Sequence, residues 1–101
     1  RLSDLPEVHA TPELRIDCPD TKKFQVMERI LRGEREKKSD FSDIDGVRVR
    51  CPGGWWLLRV SNTQPALVAR VEANSRQRLL ELVRDLEMLL QPEGVKLPSW
   101  E

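Results

Sequence analysis

From Gly46 to Ala73 the chain states one pattern three times: apolar and polar residues alternate for several positions, and a short turn-rich stretch follows. Val47, Val49 and Cys51 alternate with Arg48 and Arg50, and "PGG" separates them from "WWLLRV" at Trp55 to Val60. After "SNTQ" comes "PALVARVEA", with Leu67, Ala69 and Val71 on one side and Val68, Arg70 and Glu72 on the other. Strand side chains alternate between faces, whereas helical ones recur about every 3.6 residues, so these are strands. Parallel neighbours need a crossover of a dozen or more residues, so connections this short make the strands an antiparallel meander, entered through a turn at Asp45-Gly46. Trp55 and Trp56 then face opposite ways, and at least one of them belongs to the core.

Helical periods flank the meander. Upstream, "ELRID" at Glu13 to Asp17 reads as a short strand ending before Pro19. Asp20 stands where an N-cap is expected, and Phe24, Met27, Ile30 and Leu31 recur at helical spacing until Gly33. The mixed-charge "EREKKSDFSD" that follows reads as a frayed helix end and a solvated loop. Downstream, Ser75 can cap a helix whose apolar stripe is Leu79, Leu82, Val83, Leu86, Leu89 and Leu90, ended by Pro92. The expected order is β-α-β-β-β-α: an α+β two-layer sandwich of a four-stranded, mainly antiparallel sheet with two helices on one face. Residues 1–12, "RLSDLPEVHATP", read as an interdomain linker or hinge, and residues 13–101 as a single domain.

With 101 residues there is material for one modest core. Seventeen basic residues balance seventeen acidic ones, so no broad positive field draws the chain to nucleic acid or anionic lipid. No apolar run approaches the roughly 20 residues that span a bilayer, and "RLSDLPEVHA" lacks the apolar centre of a signal peptide. Cys18, Cys51 and a single histidine, His9, do not make a zinc-ligand spacing. Two reduced thiols and a cytoplasmic setting are expected. The chain begins at arginine, which suggests a piece of something longer.

The connection "RVSNTQP" permits more than one reading. A site for a phosphate monoester needs converging N–H and O–H donors and a cation. Arg59 offers a planar fork at a strand end, Ser61 and Thr63 offer hydroxyls, and the amides of Ser61, Asn62 and Thr63 could converge if one residue takes a positive φ, which asparagine tolerates. The same residues are also ordinary turn formers. On spacing alone, an anion cradle and a plain hairpin loop both stand.

"DGVRV", "GWWLLRVSNTQP" and "LVARVEA", in this order and spacing, resemble the C-terminal domain of the α-D-phosphohexomutases, most closely the bacterial phosphomannomutase/phosphoglucomutase branch. The similarity runs from "TPELRID" to the "LP" near the end, and its most specific part is R-x-S-N-T-x-P. Members acting on glucosamine phosphate usually carry glycine at the position of Asn62. The resemblance implies a TATA-box-binding-protein-like fold and a phosphate-binding loop in which Arg59, Ser61, Asn62 and Thr63 grip the phosphate that is not being transferred. Arg70 is a possible secondary contact. It further implies three other domains in the same enzyme, a mannose or glucose phosphate as substrate, and 1-phosphate/6-phosphate interconversion through a phosphoserine and a bisphosphorylated sugar. Magnesium would be bound outside this segment, since no phosphoserine motif, D-x-D-x-D run or G-E-x-S-G sugar loop occurs here. The segment alone is then expected to be inactive. The competing reading is a free-standing phosphate- or nucleic-acid-binding α+β module using the open sheet face; zero net charge and the lack of tyrosine weigh against RNA there.

Overall fold

The computed structural model describes residues 8–44 and 46–100. Their elements, in chain order, are β1 (His9–Ala10), β2 (Leu14–Asp17), α1 (Asp20–Lys37), β3 (Asp40–Ser42), β4 (Val47–Cys51), β5 (Gly54–Val60), β6 (Ala66–Ala73) and α2 (Arg76–Leu90), followed by a 3-10 turn at Gln91–Glu93. The meander appears as expected, with Val47 opposite Leu58, Trp56 opposite Val71 and Arg59 opposite Val68. All pairings are antiparallel, and the sheet runs from β6 through β5 and β4 to β3, with β1 and β2 sharing the outer edge of β6.

The sheet has six strands rather than four. One addition, β3, comes from the charged stretch expected to be solvated loop; it pairs with β4, placing Phe41 opposite Val49. The other, β1, lies in the stretch expected to be a linker. Residues 1–7 of that stretch lie outside the described residues, but its remainder is seated on the sheet. The Thr11 N–H donates to the Val71 carbonyl at 2.9 Å, and the Val71 N–H donates to Thr11 Oγ1 at 3.2 Å. A hydroxyl thus stands in for a ladder carbonyl where Pro12 interrupts the edge.

Both helices lie on one face, α2 against β5 and β6 and α1 against β4, β5 and β6. Ile16, Trp56, Leu58, Leu67, Val71, Leu82 and Leu86 form the centre of the core. The stripe of α2 is as expected, and Ser75 Oγ accepts from the Arg78 N–H at 3.1 Å as its N-cap. The α1 expectations need correction. Pro19, not Asp20, holds the N-cap position and makes no side-chain bond. Helix α1 continues past Gly33 to Lys37 and stops at Lys38, whose φ of 56° is left-handed. The continuation is held by Glu34, buried at 2 % exposure: Ser39 Oγ donates to its Oε1 at 2.7 Å, and Lys37 Nζ lies 2.7 Å from Oε2.

The buried face of α1 is Lys23, Val26, Met27, Ile30 and Glu34, while Phe24 points to solvent. Rotation by one position puts a lysine stem where a phenylalanine was expected. The other face of the sheet is open: Trp55, opposite the buried Trp56 in sense, donates from Nε1 to Glu72 Oε2 at 2.9 Å and carries the Arg48 guanidinium 4.4 Å above its ring. Both cysteines are free, and burial pushes their thiols above the usual range.

Candidate functional site

The connection between β5 and β6 is positioned by the strands that enter it. β5 delivers Arg59 on the open face beside Val68, and the Ser61 N–H closes the neck of the loop by donating to the Ala66 carbonyl at 3.0 Å. Beyond the neck, the Pro65 carbonyl accepts from the Cys18 N–H at 3.0 Å, fastening the loop to the end of β2. Pro65 has no N–H to leave unpaired, which suits a residue at the lip of a strand.

The loop's interior comes from α1. Lys23 is 5 % exposed, and its Nζ donates to the carbonyls of Ser61 at 2.8 Å and Gln64 at 3.1 Å. Asp20, one turn back, lies 2.8 Å from the same nitrogen. A buried ammonium is costly unless its donors are matched, and here three acceptors surround it. In a trans peptide the carbonyl and the following N–H point in opposite directions. Aiming the Ser61 carbonyl at Lys23 therefore turns the Asn62 N–H outward. Among the described residues, neither the Asn62 nor the Thr63 N–H donates to a backbone carbonyl.

Two expectations change. Of the three amides expected to converge, the Ser61 N–H is taken by the Ala66 carbonyl, which leaves those of Asn62 and Thr63. Nor does Asn62 adopt a positive φ: among the described residues other than glycine, only Lys38 does. The physical reason is that the ammonium, by drawing in two carbonyls, bends the chain without a left-handed residue.

Arg59 and Asn62 come together on one cleft of about 350 Å³, lined also by Met27, Glu28, Leu31, Asp43, Gly46, Val47 and Val60. Ser61, largely buried, and Thr63 do not line it. Arg59 Nη2 is 3.5 Å from Glu13 Oε2, a partly exposed pair whose exchange for another anion costs little. Arg70 stands on the same open face as Arg59, one rung along β6 from Val68, opposite Leu57. Gly46 makes the cleft possible: a Cβ there would lie 2.3 Å from the Leu58 carbonyl and 2.7 Å from Arg59 Cβ. Its φ of 81° is also one that side chains resist. Sequence reasoning missed both Lys23 and this close approach, although the spacing of Lys23 with Met27, Ile30 and Glu34 marked the lysine as inward-facing.

Residues 13–88 match the family described as "Phosphoglucomutase/phosphomannomutase, C-terminal domain". A phosphomannomutase/phosphoglucomutase of Pseudomonas putida is 39% identical over 92 residues, covering 88% of this chain and 20% of that protein. A phosphoglucomutase of Neisseria meningitidis serogroup B is 34% identical over 92 residues, covering 89% of this chain and 20% of its own. The crystal structure of a phosphoglucomutase/phosphomannomutase family protein from Burkholderia thailandensis superposes with a TM-score of 0.75 at 32% identity, over 97% of this chain and 21% of that one. The chain thus spans about a fifth of the length of the relatives it matches. The alternating meander, its R-x-S-N-T-x-P connection and these similarities, taken together, place the chain in the phosphoglucomutase/phosphomannomutase C-terminal domain family.

Proposed function

We propose that this chain serves as the phosphate-gripping C-terminal domain of a phosphohexomutase of the phosphomannomutase/phosphoglucomutase type. The observation that carries the proposal is the loop geometry: Arg59 and Asn62 share one cleft, and Lys23 holds the intervening backbone with the Asn62 amide directed outward. The guanidinium supplies charge and a two-point grip, and the outward amide, with the Asn62 side chain, completes a donor set for a phosphate dianion; Thr63, which does not line the cleft, joins it if its hydroxyl turns inward. Ser61 contributes its hydroxyl if its side chain turns out from the neck. Arg70 lies on the same open face as Arg59 but does not line the cleft, and its proposed part is a secondary contact.

In the reaction proposed for the whole enzyme, a phosphoryl group moves between the 1 and 6 oxygens of a mannose or glucose phosphate by way of a phosphoserine and a bisphosphorylated sugar. Such transfer depends on positioning and charge neutralisation. The part of this chain is to hold the spectator phosphate, so that either end of the sugar can be presented to the reacting serine. That serine, the sugar-selecting loop and magnesium belong to other domains on this reading. Among the described residues, no three His, Cys, Asp or Glu side chains gather as metal ligands, and no step is assigned to a metal here. On this reading the isolated domain binds without catalysing.

The test is an amide-resolved titration of the 101-residue chain with inorganic phosphate and with glucose 6-phosphate. One loop with a few charge-assisted bonds predicts affinity of about millimolar. Saturable shifts are expected at Asn62, Thr63 and the Arg59 side chain; a response spread evenly over the surface, or none, refutes the proposal.

A further inference from the structure

Lys23 lies on a different element from the phosphate loop and does not line the cleft, yet it donates to two of the loop's carbonyls. From this geometry we infer that Lys23 is the positioning residue of the site, its buried ammonium setting the outward direction of the Asn62 amide that receives the phosphate. The inference rests on the phosphate-binding reading above and adds a residue to it.

The loop spans five residues, Ser61 to Pro65, between strands joined at the neck by one backbone bond, Ser61 N–H to Ala66 carbonyl. No residue in it takes the left-handed conformation that would fix its course locally. The Ala66 N–H donates to the Gln64 carbonyl at 2.8 Å, a tight local contact that leaves that oxygen's other lone pair for Lys23. Carbonyls at both ends of the loop thus converge on one nitrogen. With two carbonyls pinned inward, the peptide that follows Ser61 has its N–H outward before any ligand arrives. Preorganisation of this kind removes the ordering cost that a free loop would bear on binding. The cation also polarises the peptide groups it holds, making the Asn62 N–H a better donor. Asp20 completes the arrangement: its carboxylate neutralises the ammonium, so the loop is braced without placing a net charge beneath it.

Three features separate this role from ordinary core packing. The lysine stem occupies a core-facing position of α1, where an apolar residue would fill the same space. Its ammonium is spent on main-chain oxygens, a use that any apolar replacement forfeits. And those oxygens belong to the connection carrying Asn62 and Thr63, not to the sheet.

The experiment compares Lys23→Met and Lys23→Arg with the wild-type 101-residue chain, each titrated with inorganic phosphate and followed by amide shifts. Methionine keeps the stem volume and removes the donors. Phosphate affinity is expected to fall about tenfold or more in Lys23→Met, the scale of a lost charged hydrogen bond, with amide shifts outside residues 59–66 little changed. Lys23→Arg, which keeps a cation with several donors, is expected to recover part of the loss. In the wild type, scalar couplings across hydrogen bonds are expected from Lys23 Nζ to the Ser61 and Gln64 carbonyl carbons. Wild-type affinity in a folded Lys23→Met chain overturns the inference while leaving the phosphate-binding reading intact. If the wild type itself shows no site-specific response, that reading fails and the inference fails with it. Should Lys23→Met not fold, the couplings decide: their absence overturns the inference, and their presence with a partly weakened Lys23→Arg supports it.

Discussion

Strand β5 ends in two connections built on different principles. At its start, Pro52 and Gly53 turn the chain back from Cys51 to Gly54 in two residues, and Gly53 carries the bend at a φ of 79°. Its outward carbonyls are met from outside the turn: Arg78 Nε donates to the Pro52 oxygen at 2.6 Å and the Asn74 N–H to the Gly53 oxygen at 2.9 Å. At the far end, Ser61 to Pro65 turn the chain with no left-handed residue, and a buried lysine draws the carbonyls in. The first connection has its shape written in its own residues. The second borrows its shape from a helix about forty residues upstream in sequence. The first turn gives its carbonyls to donors outside it, whereas the second, gathered around an internal cation, turns the Asn62 amide outward, the polarity that suits an anion.

Perturbing each end separately sharpens the contrast. The largest expected effect is at Gly46, beside the second connection. Gly46→Ala meets the Leu58 carbonyl and Arg59 Cβ at impossible distances and must also hold a left-handed φ. A loss of about 3 kcal/mol in chemical denaturation is expected, combining overpacking with the conformational penalty; stability equal to wild type would show that β4 does not approach Arg59 this closely. Next is Arg59→Ala, expected to weaken phosphate binding by about 1.5–3 kcal/mol while leaving the melting temperature within a few degrees, since the Glu13 pair it gives up is partly exposed. Equal affinities in mutant and wild type would remove Arg59 from the site. The smallest effect is at the first connection. Gly53→Ala costs about 1–2 kcal/mol for its left-handed φ and is expected to leave phosphate affinity untouched. A parallel loss of affinity would mean that the two ends of β5 are not independent.

The same contrast explains what the sequence disclosed. The meander was legible because alternation is a local, period-two signal, and the α2 stripe with its Ser75 cap because both are local too. The family signature likewise sits within one contiguous stretch. Lys23 and Glu34 were obscured because charged residues at inward positions become favourable only once their partners arrive from elsewhere: loop carbonyls in one case, Ser39 and Lys37 in the other. Strand β3 was masked by the charges around Phe41, although only that side chain of the three is partly buried. The seating of His9 to Thr11 on β6 depends on a hydroxyl replacing a carbonyl, which no propensity anticipates. Asn62 suggested a left-handed residue from its type alone, but the bend came from Lys23 instead.

The most direct measurement is the phosphate titration of the wild-type chain, with the Pro52-Gly53 turn serving as an internal reference on the same strand. Saturable amide shifts at Asn62 and Thr63, with Gly53 and Gly54 unmoved, are the result expected of a loop that presents its amides around a buried lysine. Equal shifts at both ends of β5, or larger ones at Gly53, would contradict it.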